Sequence, residues 1–421
     1  MNQIKPLQVF EHQSLKKDNK KRFTSKHLEA LERYFGDSDE DSFPYYSLIH
    51  NGVKFRQYVG VICVGDLVIE VLPKTDDGDE DKDKWQSRLL HMLSRVYKLE
   101  VRAPSNAPQD HQSNSPILDI FINKFLLEVD KLLNRGLVKC YHKEDGNRKA
   151  LKGKLLFSKH ATTNYVHKER FYVRNTTYDQ EHALNCILRQ AVGIIPRITT
   201  NLQLRGHACS TLFNFPELHE VAVTENLFNG LQFDRKTEDY REAIQIAKLL
   251  LLHFRPKNTA GKYDILALMF DMNKLWEEYV YLTLRRYMTS IGGKIIAQRQ
   301  EALWNGNTFI KHIKPDIVIE FKDCKYVLDT KWKMPKGAPS DGDLHQMYTY
   351  FKRFRAEKVA LVYPATSKIN EIHGYFYEDN TESGFNRDCD MIFLPVLDET
   401  PRKKTSIDEG RFVEPIQTWL G

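Results

Sequence analysis

Two acids and a lysine stand at the ends of two apolar runs in the stretch IKPDIVIEFKDCKYVLDTKWK, residues 313–333. In an extended strand, residues two apart share a face, so Asp329 and Lys331 point one way while Tyr326, Leu328 and Thr330 point the other. Asp316 opens the preceding run just after Pro315, and the link FKDCK is short enough for an antiparallel hairpin that sets Asp316 beside Asp329 and Lys331. Neighbouring carboxylates repel each other and favour a hard cation between them. With no Cys or His in the set, magnesium or manganese suits it better than zinc. Such an ion acts as a Lewis acid on a phosphodiester and lowers the pKa of a bound water, and Lys331 can orient that water or stabilise charge building on the phosphate. The expected reaction is phosphodiester hydrolysis.

Taken singly, a D-x-K on a strand is an ordinary ion pair and P-D an ordinary turn dipeptide. Their coincidence at hairpin distance gives the pattern its weight, and two helices agree with it. In DLHQMYTYFKRF, from Asp343, Gln346 and Tyr350 lie four apart on one face, placed to reach a bound phosphate or water. In MNKLWEEYVYLTLRRY, from Met272, Glu277 or Glu278 can supply a further metal ligand. The plain alternatives are a helix that packs Tyr350 into the core and a solvated acidic patch.

These residues need a scaffold, and the chain of 421 residues, 41% hydrophobic, has ample length for two or three domains. The first part reads as β-rich: from Tyr45, turn signals at His50-Asn51-Gly52 and Gly65-Asp66 separate short β-branched runs, and Pro73 ends them. A charge run follows from Asp76, then helical spacing from Trp85, a polar proline-bearing loop from Ala103, and a second helix over 117–134. Residues 148–178 mix Lys, Arg and His with Phe and Tyr and read as strand-like, either a contact surface or a plain solvated sheet. Helical patterns then run from Asp179 to Pro256. Beyond these lies an α/β pattern: a helix over 270–287, strands near Ile295, Asp316 and Val327, a helix from Asp343, and strands over 358–363, 372–377 and 391–397.

A net charge of +6 leaves the partner open. Six scattered cysteines with no C-x-x-C pair argue against a zinc site and for reduced thiols. No apolar N-terminal segment reads as a signal peptide, and no stretch approaches the roughly 18 apolar residues of a membrane span. The expectation is a soluble, cytoplasmic protein.

The order of acidic helix, P-D, D-T-K and Q-x-x-x-Y resembles the PD-(D/E)xK nuclease superfamily. The stretches YVGVICVGDLVIEVLPK from Tyr58, MNKLWEEYV from Met272, KPDIVI from Lys314, LDTKWK from Leu328 and HQMYTY from His345 resemble the McrC family, nuclease subunits of McrBC restriction systems. The resemblance implies an α+β multidomain fold. It comprises a β-rich N-terminal partner-binding domain with a helical insertion over 1–170, a helical connector over 171–256, and a C-terminal α/β restriction-endonuclease-like domain over 257–421. It implies Asp316 and Asp329 as metal ligands, Lys331 as the catalytic lysine, Gln346 and Tyr350 as the Q-x-x-x-Y element, and Glu277 as the helical acid, because Glu277 follows Leu275-Trp276 where the family has Leu-Phe-Glu. It also implies Mg2+, with Mn2+ as a substitute, and double-stranded DNA carrying 5-methylcytosine. The implied partner is a GTP-hydrolysing AAA+ hexamer of the McrB type, which the N-terminal half enters and stimulates. The chain has no G-x-x-x-x-G-K-[ST] of its own; TAGKYD from Thr259 lacks the first glycine and the hydroxyl residue. Two other readings compete: a non-catalytic activator of the ring that only grips DNA, and a standalone repair nuclease.

Overall fold

The computed structural model describes residues 6–17, 22–36, 43–74, 81–99, 115–257, 263–306, 308–333, 335, 337–366, 371–377, 388–396 and 409–421. The acidic run from Asp76 to Glu80 and the loop from Ala103 to Asn114 lie outside the described residues. Contacts divide the chain into two compact units, Met1–Ile117 together with Met269–Gly421, and Leu118–Leu268.

The first unit begins with β1 (Leu7–Phe10), β2 (Ser14–Lys16), α1 (Ser25–Gly36), β3 (Tyr46–Ile49), β4 (Gly52–Phe55), β5 (Tyr58–Val64), β6 (Leu67–Leu72) and α2 (Lys82–Val96). Both turn signals close hairpins, Ile49 opposite Gly52 and Val64 opposite Leu67. Asn51 and Gly65 turn them with φ of 59° and 60°, the left-handed region that these two residue types enter most easily. Strand β1 adds to the second hairpin parallel to β6, with Leu7 opposite Ile69. Pro73 has no amide hydrogen with which to extend β6. Helix α2 buries Trp85, Leu89, Met92 and Leu93, the stripe of a one-sided helix.

The second unit carries α3 (Pro116–Arg135), β7 (Cys140–Arg148), β8 (Lys154–Leu155), α4 (Phe157–Thr163), β9 (Phe171–Asp179), α5 (Ala183–Ile198), α6 (Leu202–Phe213), α7 (Glu225–Asn229), α8 (Arg241–Leu252), β10 (Phe254–Arg255) and most of β11 (Ile265–Asp271). The basic, aromatic stretch is only partly strand. It forms a long β7–β9 hairpin, Cys140 opposite Asp179 through Arg148 opposite Phe171, with β8 on the far edge of β9 and α4 between. Gly153 makes that edge possible. Its φ is +96°, and a Cβ there would lie 2.2 Å from the Arg174 carbonyl oxygen. Gly153→Ala is therefore expected to lift β8 off β9, at about 1 kcal/mol or more. Amide exchange at Leu156, whose N–H bonds the Tyr172 carbonyl at 2.9 Å, reports it.

The first unit resumes with α9 (Met272–Ser290), β12 (Lys294–Ala297), β13 (Glu301–Asn305), β14 (Ile310–Ile313), β15 (Ile317–Phe321), β16 (Cys324–Thr330), α10 (Asp341–Phe354), β17 (Lys358–Ala365), β18 (Cys389–Pro395) and α11 (Glu409–Leu420). Five strands form a sheet in the order β12-β15-β16-β17-β18. The pairs β12–β15 and β15–β16 are antiparallel, and β16–β17 and β17–β18 are parallel. Parallel neighbours need a crossover, which α10 supplies between β16 and β17. Met347, Tyr350 and Phe354 of α10 pack on Val318, Val327, Val359 and Leu361 of the sheet.

Two local expectations need correction, and one element was not anticipated. The helix placed at Phe270 starts at Met272, because Phe270 still belongs to β11 and Asp271, the last residue of that strand, is the N-cap, its carboxylate accepting from the Asn273 amide. Residues 372–377 are not a strand; only isolated bridges tie Ile372 to Met391 and Tyr375 to Asp388. The β13–β14 ribbon had no counterpart in the sequence reading, since a shift in register between Ala302 and Trp304 breaks its alternation. The mixed α/β architecture itself agrees with expectation. Among the described residues, no helix is long and apolar enough to cross a membrane.

Candidate active site

The site is built on the β15–β16 hairpin. Lys322 and Asp323 form its two-residue turn, both left-handed with φ of 50° and 62°, the combination that matches the twist of an antiparallel pair. This turn fixes the register, Phe321 opposite Cys324 and Ile317 opposite Leu328, so that Asp316 arrives across from Asp329. Oδ2 of Asp316 accepts from the Thr330 amide at 2.7 Å and the Thr330 hydroxyl at 2.9 Å. Its carboxylate is thus clamped to the strand that carries the other acid.

Asp329 is buried, with 2% of its surface exposed. Oδ2 lies 2.7 Å from Nζ of Lys331, an ion contact that lacks the alignment of a hydrogen bond. Burial and then the neighbouring Asp316 push the Asp329 carboxyl up to about 6. Burial works against the Lys331 ammonium, but Asp329, Asp343 and Asp316 overcome it and the net shift is upward, so the lysine stays charged. Gln346 reaches in from α10: Nε2 lies 3.4 Å from Oδ1 of Asp329 and 2.7 Å from the Tyr350 hydroxyl, while Oε1 accepts from Lys331 at 3.4 Å. The Tyr350 hydroxyl donates to the Lys314 carbonyl at 3.1 Å, and burial raises it to about 12, which keeps it a neutral donor.

The structure thus brings Asp316, Asp329, Lys331, Gln346 and Tyr350 together. Glu277 faces the same cluster from α9. Burial raises its carboxyl, with Asp316 the next contribution, and Gln298 Nε2 donates to it at 2.5 Å. Gln298 also bonds the Asp316 carbonyl through its amide at 2.8 Å. Glu278 is exposed and acts instead on Tyr97, so Glu277 is the acid on the site's side.

Sequence reasoning passed over Asp343 as a mere helix start. It is buried, 3.5 Å from the Lys331 ammonium, and held by Lys333 at 2.9 Å and by the N-cap Ser340 hydroxyl at 2.7 Å. Its place one turn before Gln346 was the available signal.

Among the described residues, no three His, Cys, Asp or Glu side chains close on one point as a finished metal cage. The residues present nevertheless fit a divalent cation. Asp329 is a buried carboxylate with an unaligned oxygen, destabilised by a second carboxylate, and a hard cation relieves that repulsion.

One more group reaches the site from the start of the chain. Glu11, just past β1, is buried, and burial raises its carboxyl to about 7. Its Oε1 accepts from the Trp332 indole N–H at 2.8 Å and from the Lys74 amide at 2.9 Å. With a folded pKa above the unfolded value of 4.5, the folded state holds a proton that the unfolded state releases between about 4.5 and 7. Glu11's contribution to stability is therefore full below about 4.5 and is lost as pH rises through about 7. Glu11→Gln is expected to remove a drop on the order of 3 kcal/mol over that window. Denaturant unfolding of wild type and variant at pH 4.5 and 8 measures it.

Comparison with known proteins addresses the family and the fold. A family model described as the McrBC 5-methylcytosine restriction system component matches residues 53–364. The type IV methyl-directed restriction enzyme EcoKMcrBC of Escherichia coli (strain K12) is 21% identical over 227 residues, 51% of this chain and 63% of that protein, so the match spans less than two thirds of the relative. A chain of the half-complex from the tetradecameric assembly of Thermococcus gammatolerans McrB AAA+ hexamers with bound McrC has the same fold. Its TM-score is 0.65 at 20% identity, over 98% of this chain and 100% of its own. A chain of the cryo-EM structure of the Thermococcus gammatolerans McrBC complex matches 67% of this chain and 88% of its own, at 21% identity and a TM-score of 0.48. With the family model spanning most of the sequence, the chain belongs to the McrBC family of 5-methylcytosine restriction system components.

Proposed function

We propose that this chain is the DNA-cleaving subunit of an McrBC-type system, hydrolysing phosphodiester bonds of modified DNA when assembled with a GTP-hydrolysing AAA+ ring. The observation that carries the reading is the buried Asp329, pressed against Asp316 and paired with Lys331 at 2.7 Å. Burying Asp329 beside a second, half-buried carboxylate and a half-buried lysine costs stability that apolar residues would not, which a functional role accounts for. Asp316 and Asp329 would hold the ion, with Glu277 as a candidate further ligand. Bound magnesium supplies Lewis acidity toward the phosphate and a more acidic water. Lys331, charged and fixed between Asp329 and Gln346, stabilises negative charge as it builds on the phosphoryl oxygens. Tyr350 holds Gln346, and Gln346 holds both Asp329 and Lys331 in register. Asp343 keeps the ammonium turned toward the site.

The partner would meet the second unit. Around β7, α4 and β9, Tyr165 is 83% exposed, Phe157 76% and Tyr141 74%, among Lys143, Lys149, Lys152, Lys159 and Lys168. Exposed apolar side chains at that density mark a binding surface. The relative's description names McrB AAA+ hexamers with bound McrC, and the family description names 5-methylcytosine. The split into a partner-binding region over 1–170, a connector over 171–256 and a nuclease region over 257–421 is a division of tasks. It is tested on the full chain, because residues 1–117 and 269–421 pack as one unit.

Full-length chain carrying both Phe157→Ser and Tyr165→Ser is expected to lose most of its stimulation of the partner's GTP hydrolysis, by about tenfold or more, while Asp329→Asn stimulates normally. In the complete system, methylated DNA is cut and unmodified DNA is spared, and only with GTP and the partner. Selective cutting of methylated DNA by the chain alone would replace this reading with a standalone nuclease.

A further inference from the structure

Lys331 follows the last paired residue of β16: Thr330 lies opposite Val362, and the Lys331 amide makes one more bond, to the Val362 carbonyl at 2.9 Å. Past that point the ladder gives no support, so the next residue decides how firmly the lysine is held. That residue is Trp332, on the opposite face of the chain and only 8% exposed. Its ring lies 5.4 Å from Trp276 and 6.5 Å, edge-on, from Trp85. Those contacts hold the plane of the indole loosely, since apolar packing has no direction. The directional contact is the 2.8 Å bond from the indole N–H to Glu11, which also accepts the Lys74 amide.

Glu11 is costly where it is. It is buried, and among the described residues its second oxygen, 3.9 Å from His12 Nε2, accepts no hydrogen bond. An apolar residue packing β1 and β6 would fill the space more cheaply, yet could not fix the indole.

We propose that Glu11 is a positioning residue for Lys331, acting through the Trp332 indole. This rests on the nuclease reading of the site. The carboxylate ties the ends of β1 and β6 to the residue beside the catalytic lysine, so the N-terminal sheet sets where the ammonium stands relative to Asp329 and Gln346. Trp276, next to Glu277, is the other wall of the same aromatic bracket. Both helix and hairpin sides of the site are therefore referenced to Trp332.

The test uses full-length chain assembled with its GTPase partner and measures kcat and KM for a methylated duplex, well below each variant's unfolding temperature. Trp332→Phe keeps the ring and removes the N–H; Glu11→Ala removes the acceptor; Glu11→Gln keeps it. The expected result is a fall in kcat of about tenfold or more for Trp332→Phe and Glu11→Ala. KM and stimulation of the partner should be unchanged, with Glu11→Gln within about threefold of wild type. If Glu11→Ala fails to fold, Trp332→Phe with Glu11→Gln still decides. Wild-type kcat in Trp332→Phe, beside an inactive Asp329→Asn control, overturns the inference and leaves the nuclease reading standing. Absence of cleavage by the wild-type complex itself overturns the nuclease reading, and this inference with it.

Discussion

Lys331→Ala is expected to lower cleavage of methylated DNA by about a hundred- to a thousandfold, the usual cost of removing one preorganised group that meets developing charge. The ammonium is the cation that contacts Asp329, at 2.7 Å, and it also reaches Asp343 and Gln346. Lys333 also reaches Asp343, at 2.9 Å, but among the described residues no second ammonium or guanidinium contacts Asp329. Because Lys331 is partly exposed beyond the paired length of β16, the fold and the partner's GTP hydrolysis should be unaffected. Asp329→Asn should reduce cleavage as severely by a different route, loss of affinity for the ion, so raising magnesium should partly restore Asp329→Asn and not Lys331→Ala. Equal rescue of both, or cleavage by Lys331→Ala near the wild-type rate, would contradict the assigned roles.

Trp276→Ala should have the largest effect on stability. The indole is fully buried, with Trp332 at 5.4 Å, Phe412 at 6.1 Å and Tyr279 at 6.2 Å. Truncating a buried tryptophan loses its transfer free energy and leaves a cavity, together about 3–5 kcal/mol. Since whole domains are stable by only about 5–15 kcal/mol, much of the first unit's margin goes with it. Urea unfolding checks the value; a loss under about 1 kcal/mol would mean that the aromatic bracket repacks and does not hold α9 in place. Trp332 meets the Trp276 ring tilted at 58° and Phe412 meets it edge-on at 79°, so removing the indole leaves both without a face to pack on.

The hairpin pair Asp316 and Asp329 with Lys331 was legible because every step was local: a two-residue alternation, a turn at Lys322-Asp323, and a register that follows from the turn. Gln346 and Tyr350 were legible by helical spacing, but their bonds to Asp329 and Lys314 required the α10 crossover to land over β16. Glu11 was invisible. It stands 321 residues from Trp332, and a single buried acid after a strand leaves no periodic signature. The same holds for Gln298, whose left-handed backbone, φ 49°, turns its side chain to Glu277. The N-terminal hairpins were readable from Asn51 and Gly65. The association of residues 1–117 with 269–421 was not, since chain order favoured separate domains.

The central claim is that Asp316 and Asp329 hold a divalent cation with which this chain cuts DNA. Its most direct test is cleavage of a methylated duplex by the full-length chain with its GTPase partner and GTP, in magnesium, after excess chelator, and after magnesium is restored. GTP hydrolysis also requires magnesium, so the complex is loaded first and the cleavage step is read in a single turnover. The account predicts cutting, then none, then recovery, with Asp316→Asn and Asp329→Asn inactive at the same magnesium concentration. Cutting that survives the chelator would contradict it. So would a wild-type chain that fully stimulates the partner's GTP hydrolysis and never cuts, which is the behaviour of a non-catalytic activator.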